Sequence, residues 1–214
     1  MHRTALLVVD MLADFLAPKP GLEAPKGIVS LVENNQKVCR VAREKGIPVI
    51  FVNDAFQKTE IPIDRHFKLS IPHAIIGTEE ALVVKELEYD QNQDFIVEKK
   101  LYDGFYNTRL DSILRELDVK NCIVTGTWTN ACVQHTVTGG FCRGYDVTVI
   151  EDCCSCPDEA EHDRALAYMK KFYGAQAIDS AAWIASLNDL NKRNTQSTLK
   201  PVAPREEAVS VAVA

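Results

Sequence analysis

No run of lysine or arginine stands out anywhere in this sequence, and its formal charge of −6, with 25% charged residues, leaves no basic stripe. Clustered positive charge is what recruits polyanions and anionic bilayers, so nucleic acid and membrane are not the expected partners. Long hydrophobic runs are missing as well. The first apolar stretch, Ala5–Val9, falls far short of the ~20 residues that a bilayer-spanning helix requires. Neither a basic leader nor a cleavage-like site precedes it, which points to a cytoplasmic protein. Internal repeats are absent too, so nothing suggests a repeat architecture.

Cysteine is plentiful, with seven residues, but paired spacing is not. The odd count, the length and the lack of a leader argue for reduced thiols rather than a disulfide framework. Cys153, Cys154 and Cys156 form a tight cluster without the C-x-x-C spacing of a zinc site. They read as small residues closing a strand end.

What is present is enough apolar material for one full core: 214 residues, 46% of them hydrophobic. Short runs rich in β-branched residues recur at Ala5–Val9, Pro48–Val52, Phe95–Val97, Cys122–Thr125, Val147–Ile150 and, more weakly, Ala175–Ile178. Between them lie segments with helical spacing, at Ile28–Lys45, Thr108–Leu117, Ala131–Arg143 and Glu159–Phe172. Strand alternating with helix predicts a single three-layer α/β/α domain, with a mainly parallel sheet of about six strands. Residues 1–190 are assigned to that domain. From Asn191 the apolar spacing fades, and residues 191–214 read as a tail, either disordered or docked on a neighbouring subunit.

Two further features carry chemistry. Residues 53–87 break the alternation with Pro62, Pro72, Gly77 and two histidines, and long structured excursions of this kind are commonly functional. The stretch from Val124 to Thr136 passes from an apolar strand through Gly126 to a helical pattern, and it places Cys132 at the junction. Unpaired N–H groups and a helix dipole favour a thiolate at such a position. Asp10 ends the first strand, and Lys99 and Lys100 follow the third. Taken singly, each has an ordinary explanation: a turn-capping aspartate, a solvated lysine pair, a small core thiol.

Together, these residues sit in ordered motifs. They are Val8-Val-Asp-x-x-x-Asp-Phe15, Pro72-His-Ala-Ile-x-Gly-Thr78, Glu98-Lys-Lys-x-Tyr-x-x-Phe-x-x-Thr-x-Leu110, Val124-Thr-Gly-x-x-Thr-Asn-x-Cys-Val133 with Thr136, and Gly144-Tyr-x-Val-x-Val-x-x-Asp152. In order and spacing they resemble the cysteine hydrolases of the isochorismatase-like superfamily, which includes nicotinamidases and N-carbamoylsarcosine amidase. The resemblance runs from Ala5 to Gly174. It implies Cys132 as nucleophile, Asp10 as the acid/base partner and Lys99 as the catalytic lysine. It further implies a cis peptide at Thr127–Trp128 and an oxyanion hole formed by the backbone N–H groups of Trp128 and Cys132. Phe15, Tyr102, Phe105 and Trp128 are candidate pocket residues. Homo-oligomers are also expected from the resemblance.

Thiol attack on an amide needs a base for the thiol proton, an acid for the leaving amine and donors aimed at the oxyanion. A buried Asp10 suits the first two roles, with Lys99 beside the sulfur. A Cys132–His135 dyad is the competing arrangement, but three residues along one helix leave the imidazole on the helix surface.

Nicotinamidases of the superfamily typically hold a divalent metal through an Asp after the second strand and histidines beyond it. Asp54 and His73 match, Phe56 stands where a histidine is typical, and His66 or Asp64 could substitute. One zinc or iron ion on Asp54, His66 and His73 is therefore weighed against no metal at all. No other cofactor is implied. The expected reaction is hydrolysis of a small non-peptide amide through a thioester, nicotinamide to nicotinate plus ammonia first. An N-carbamoyl, ureido or biuret-like substrate is the alternative, and a catalytically idle scaffold is the rival from another class. Vinyl-ether hydrolysis is disfavoured because it has no need of the thiol.

Overall fold

The computed structural model describes residues 3–17 and 19–197. Six strands, β1 (Arg3–Val9), β2 (Val49–Asp54), β3 (Phe95–Lys99), β4 (Val119–Thr127), β5 (Asp146–Ser155) and β6 (Gln176–Ile178), form the sheet at its centre. Every neighbouring pair is parallel, and the order is β3-β2-β1-β4-β5-β6. The expected sheet is thus present, with strand ends shifted by a few residues.

Ala5 to Val9 is buried on both faces of the sheet, which explains an unbroken apolar run where a one-sided strand would alternate. Leu6 and Val8 face one layer, with Leu31, Val38 and Ala42 of α2 (Ile28–Glu44) and Trp183 of α6 (Ser180–Ser197). Ala5, Leu7 and Val9 face the other. There they meet Leu110 and Leu114 of α3 (Leu110–Glu116), Val137 of α4 (Gln134–Cys142), and Leu166 and Met169 of α5 (Glu159–Tyr173). A single turn, α1 (Ala13–Leu16), follows β1.

Helix α6 was not anticipated. Its large described apolar residues, Trp183, Ile184 and Leu187, cover one side only and are diluted by Ser, Ala and Asn. Asp152 supplies its start: the Ser180 N–H donates to Oδ1 at 2.7 Å and the Ser180 hydroxyl to Oδ2 at 2.6 Å. The backbone of residues 191–197 continues this helix, and the rest of the expected tail, 198–214, lies outside the described residues. No helix among the described residues is long and apolar enough to cross a membrane.

The chain leaves β1 for β2 and β3 on one side and returns to β4, β5 and β6 on the other. Loops beyond the carboxyl ends of β1 and β4 therefore part, and the crevice between them is where open α/β sheets bind ligands. Gly126 lets β4 come that close. Its φ is +117°, and a Cβ there would stand 1.9 Å from the Val9 carbonyl oxygen. The 53–87 excursion folds over the same strand ends through short helical turns at Arg65–Lys68, Glu79–Ala81 and Lys85–Leu87.

Candidate active site

Four strand ends converge beneath this crevice. Asp10 follows β1, Asp54 ends β2, Lys99 ends β3, and Cys132 lies in a π-helical turn, Thr129–Val133, between β4 and α4. All four are buried: Asp10 is 1% exposed, Asp54 4%, Lys99 1% and Cys132 7%. Asp10 adopts φ +51°, a left-handed conformation that non-glycine residues seldom take and that recurs at functional sites. The Thr127–Trp128 peptide is cis.

Lys99 is the hub. Its Nζ lies 2.6 Å from Asp54 Oδ1, 2.7 Å from Asp10 Oδ2 and 3.4 Å from Cys132 Sγ. Asp10 Oδ1 accepts the Asp54 backbone N–H at 2.6 Å. Asp10 Oδ2 pairs with the Lys99 ammonium at 2.7 Å, and the Asp10 carboxyl also faces the Cys132 thiol.

The two carboxylates do not titrate alike. Burial, and next the Asp54 charge, raise Asp10 to about 6 against the pull of Lys99. Burial also works to raise Asp54, but Lys99 and His73 outweigh it and hold that group below the ordinary aspartate value. Lys99 would be pushed down by burial, yet Asp10 and Asp54 keep it well above the usual lysine value. Two carboxyls with diverging pKa values around one ammonium can divide their work, Asp54 suiting a fixed counter-ion and Asp10 a group that exchanges a proton. Burial, then the Asp10 charge, push the Cys132 thiol well above its ordinary value, with Lys99 opposing. Burial and the Asp10 charge thus act against the thiolate, and Lys99 acts for it.

The crevice above Cys132 is a cavity of about 200 Å³. Phe15, Leu22 and Trp128 wall one part, and His66, Ser70, His73 and Tyr102 present polar edges. Gly21, Leu69 and Ala131 also line it and went unrecognised in the sequence, where small and aliphatic loop residues carry no chemical signal. Phe105 is the candidate that does not reach the pocket. It is 3% exposed and lies in the core, its ring 5.9 Å from that of Tyr145 and under the Arg143 guanidinium. The Gly104 N–H, bound to Thr136 Oγ1 at 3.0 Å, anchors the loop on α4 just ahead of it.

His135 is exposed, and its Nδ1–H donates to the Ala131 carbonyl at 2.8 Å. It forms no dyad with Cys132. Asp14, part of the first motif, is buried and bridges two loops: Oδ2 accepts the Ala74 N–H at 2.7 Å and Oδ1 pairs with Lys19. This clamp holds the segment that carries His73.

Asp54, His66 and His73 lie side by side. His73 Nε2 is 3.7 Å from Asp54 Oδ2 and 3.2 Å from His66 Nε2, and its Nδ1–H donates to the Ile71 carbonyl at 2.7 Å. The donor types suit zinc or iron. As placed, however, the three do not close into a ligand set. The trio of His, Cys, Asp or Glu residues whose donor atoms all lie within 4.8 Å of one another, among the described residues, is Asp10, Asp54 and Cys132. Those atoms already surround the Lys99 ammonium.

A family model described as the isochorismatase domain matches residues 4–182. The chain belongs to the isochorismatase family. Within it, the ureidoacrylate amidohydrolase RutB of Acinetobacter baylyi is 30% identical over 195 residues, covering 81% of this chain and 79% of that protein. The crystal structure of N-carbamoylsarcosine amidase from Thermoplasma acidophilum superposes with a TM-score of 0.72 at 30% identity, covering 83% of this chain and 96% of the other. Pyrazinamidase/nicotinamidase from Streptococcus mutans gives 0.76 at 28% identity, covering 82% and 99%. Family membership makes this chain an isochorismatase-type hydrolase, and its named relatives are amidohydrolases.

Proposed function

We propose that this isochorismatase-family chain is a cysteine amidohydrolase that cleaves small ureido or N-carbamoyl compounds. The observation that carries the reading is the Lys99 ammonium, placed between the Asp10 carboxylate and the Cys132 thiol, both of which line the pocket. Substrate binding excludes water, Asp10 takes the thiol proton, and sulfur attacks the carbonyl carbon. Lys99 stays charged throughout and stabilises the forming thiolate. The backbone N–H groups of Trp128 and Cys132 serve as donors to the oxyanion. Asp10 returns its proton to the leaving nitrogen, and water, activated by the same carboxylate, then hydrolyses the acyl-enzyme. No step requires a metal.

The ureido assignment is supported by the names of the relatives from A. baylyi and T. acidophilum. Nicotinamide is the second reading, favoured by the Phe15 and Trp128 walls and by the paired imidazoles. On that reading Asp54, His66 and His73, whose donor types suit zinc or iron, would have to draw closer together to hold one ion.

Ammonia release from a panel of N-carbamoyl amino acids, ureido acids, biuret and nicotinamide tests the proposal, with Cys132→Ala as control. Turnover of the ureido members, an acyl adduct on Cys132 by mass spectrometry and an inert alanine variant are expected. Equal turnover by Cys132→Ala, or silence across the whole panel, would overturn it.

A further inference from the structure

The turn that carries Cys132 is held from behind by α5, a helix that adds no residue to the pocket lining among the described residues. Thr129, the first residue of that π-helical turn, is 0% exposed, so its hydroxyl is shut off from water and must find a partner within the protein. His162 supplies it, with Nδ1 placed 2.8 Å from Thr129 Oγ1. Beside this contact, Asn130 Nδ2 donates to Glu161 Oε2 at 2.5 Å. Two adjacent residues of the turn are thus tied to two adjacent residues of the helix.

The helix end of this tie is firmly set. Asp158 caps α5: its Oδ1 accepts the Ala160 N–H at 2.8 Å and the Glu161 N–H at 3.2 Å, and its carbonyl accepts the His162 N–H at 3.0 Å. One turn further on, Ala165 and Leu166 share a core with Cys132 and Val133. Within the turn itself, the Trp128 carbonyl accepts the N–H groups of Ala131 at 3.0 Å and Val133 at 3.1 Å. Turns of the π-helical kind are rare and recur at functional sites, and this one is braced by contacts beyond its own backbone.

We infer that His162 is a positioning residue for the nucleophile: through Thr129 it fixes the turn that sets Cys132 Sγ 3.4 Å from Lys99 Nζ. Its effect on turnover rests on the amidohydrolase reading, whereas its effect on the thiol rests on the geometry alone. Removing the ring leaves the Thr129 hydroxyl buried without a partner, and the turn must move to satisfy it. A displacement of about 1 Å at the reacting atoms costs on the order of 10²-fold in rate.

The test compares His162→Leu, His162→Asn, Thr129→Val and the double variant His162→Leu with Thr129→Val, all in the full chain, with folding checked by circular dichroism. The asparagine amide takes the place of the imidazole Nδ1 and offers both a donor and an acceptor to Thr129. Alkylation of Cys132 by iodoacetamide, followed by mass spectrometry, requires no substrate and reads the thiol directly. His162→Leu and Thr129→Val should each slow it about tenfold and lower kcat on a ureido substrate about 10- to 100-fold, with KM within about threefold of wild type. The double variant should be no slower than either single one, because both changes remove the same interaction, and His162→Asn should restore most of the rate. Thr129→Val, which conserves shape, decides the matter if His162→Leu does not fold. A wild type silent on every substrate would overturn the amidohydrolase reading and leave the alkylation series to judge His162. Alkylation unchanged in His162→Leu and Thr129→Val, losses that multiply in the double variant, or an asparagine variant as slow as the leucine one would each overturn the inference.

Discussion

Lys99 and Asp54, paired across β3 and β2 and 2.6 Å apart at their charged ends, hold the positive centre of the site in place for Asp10 and Cys132. Removing the ammonium leaves two buried carboxylates facing one another. Lys99→Met is expected to cost about 3–5 kcal/mol of stability, the usual consequence of breaking a buried ion pair. Turnover should fall by roughly 10²–10³-fold, as when an electrostatic donor is lost. Adding Asp54→Asn removes the uncompensated charge, so the double variant should regain much of the stability but not the activity. Urea unfolding alongside initial rates separates the two effects. If the double variant regained turnover, Lys99 would be a folding residue only.

In the proposed mechanism Asp10 accepts the thiol proton only when ionised, and its pKa is raised to about 6. The fraction of competent enzyme therefore falls as pH drops through that value. On a logarithmic scale, kcat/KM should rise with unit slope below pH 6 and level off above it, since this quantity reports groups of the free enzyme. The Asp54 charge is one of the causes that raise Asp10. In Asp54→Asn the acid limb should accordingly move to lower pH. A limb that stays in place, or moves up, would show that another group controls it.

Much of this arrangement is legible in the sequence, and the part that is not has a physical cause. The strands announce themselves because a residue buried on both sheet faces must be apolar, as from Leu6 to Val9. Asp10, Lys99 and Cys132 are visible as charged or nucleophilic residues just past such runs. Asp54 is visible in the same way but reads as a metal ligand. Its partnership with Lys99 depends on strand register, which joins residues 45 apart in the chain. Phe105 is close to Lys99 along the chain and reads as a pocket wall. Only the tie between Gly104 and Thr136 shows that the loop turns it into the core.

Metal dependence distinguishes the two substrate readings. On the ureido reading, Asp54 Oδ1 is committed to Lys99, and the imidazoles of His66 and His73 serve each other and the pocket. Dialysis against a strong chelator should leave ureido hydrolysis unchanged, and elemental analysis of enzyme purified without chelator should find far less than one zinc or iron per chain. Loss of activity on chelation, restored by zinc or iron, would transfer the pocket to the nicotinamide reading.

Stability should depend on a helix that the sequence scarcely marks. Trp183 is 3% exposed and inserts from α6 into the layer that holds Leu6, Val8 and Leu31, with Ile184 and Leu187 beside it. Truncating a buried indole loses its transfer free energy and leaves a cavity that the sheet, fixed on its other face, cannot close. Trp183→Ala should therefore cost about 3–5 kcal/mol. Asn188, on the same helix, accepts a hydrogen bond from Lys45 at 2.9 Å on the surface. Asn188→Ala should change stability by no more than about 0.5 kcal/mol. Among the described residues the cavity lining includes none of α6, so Trp183→Ala that remains folded should keep the wild-type kcat. Urea midpoints for both variants, with rates measured well below each midpoint, test the point. A Trp183 variant as stable as Asn188→Ala would mean that α6 covers the sheet without contributing to its core.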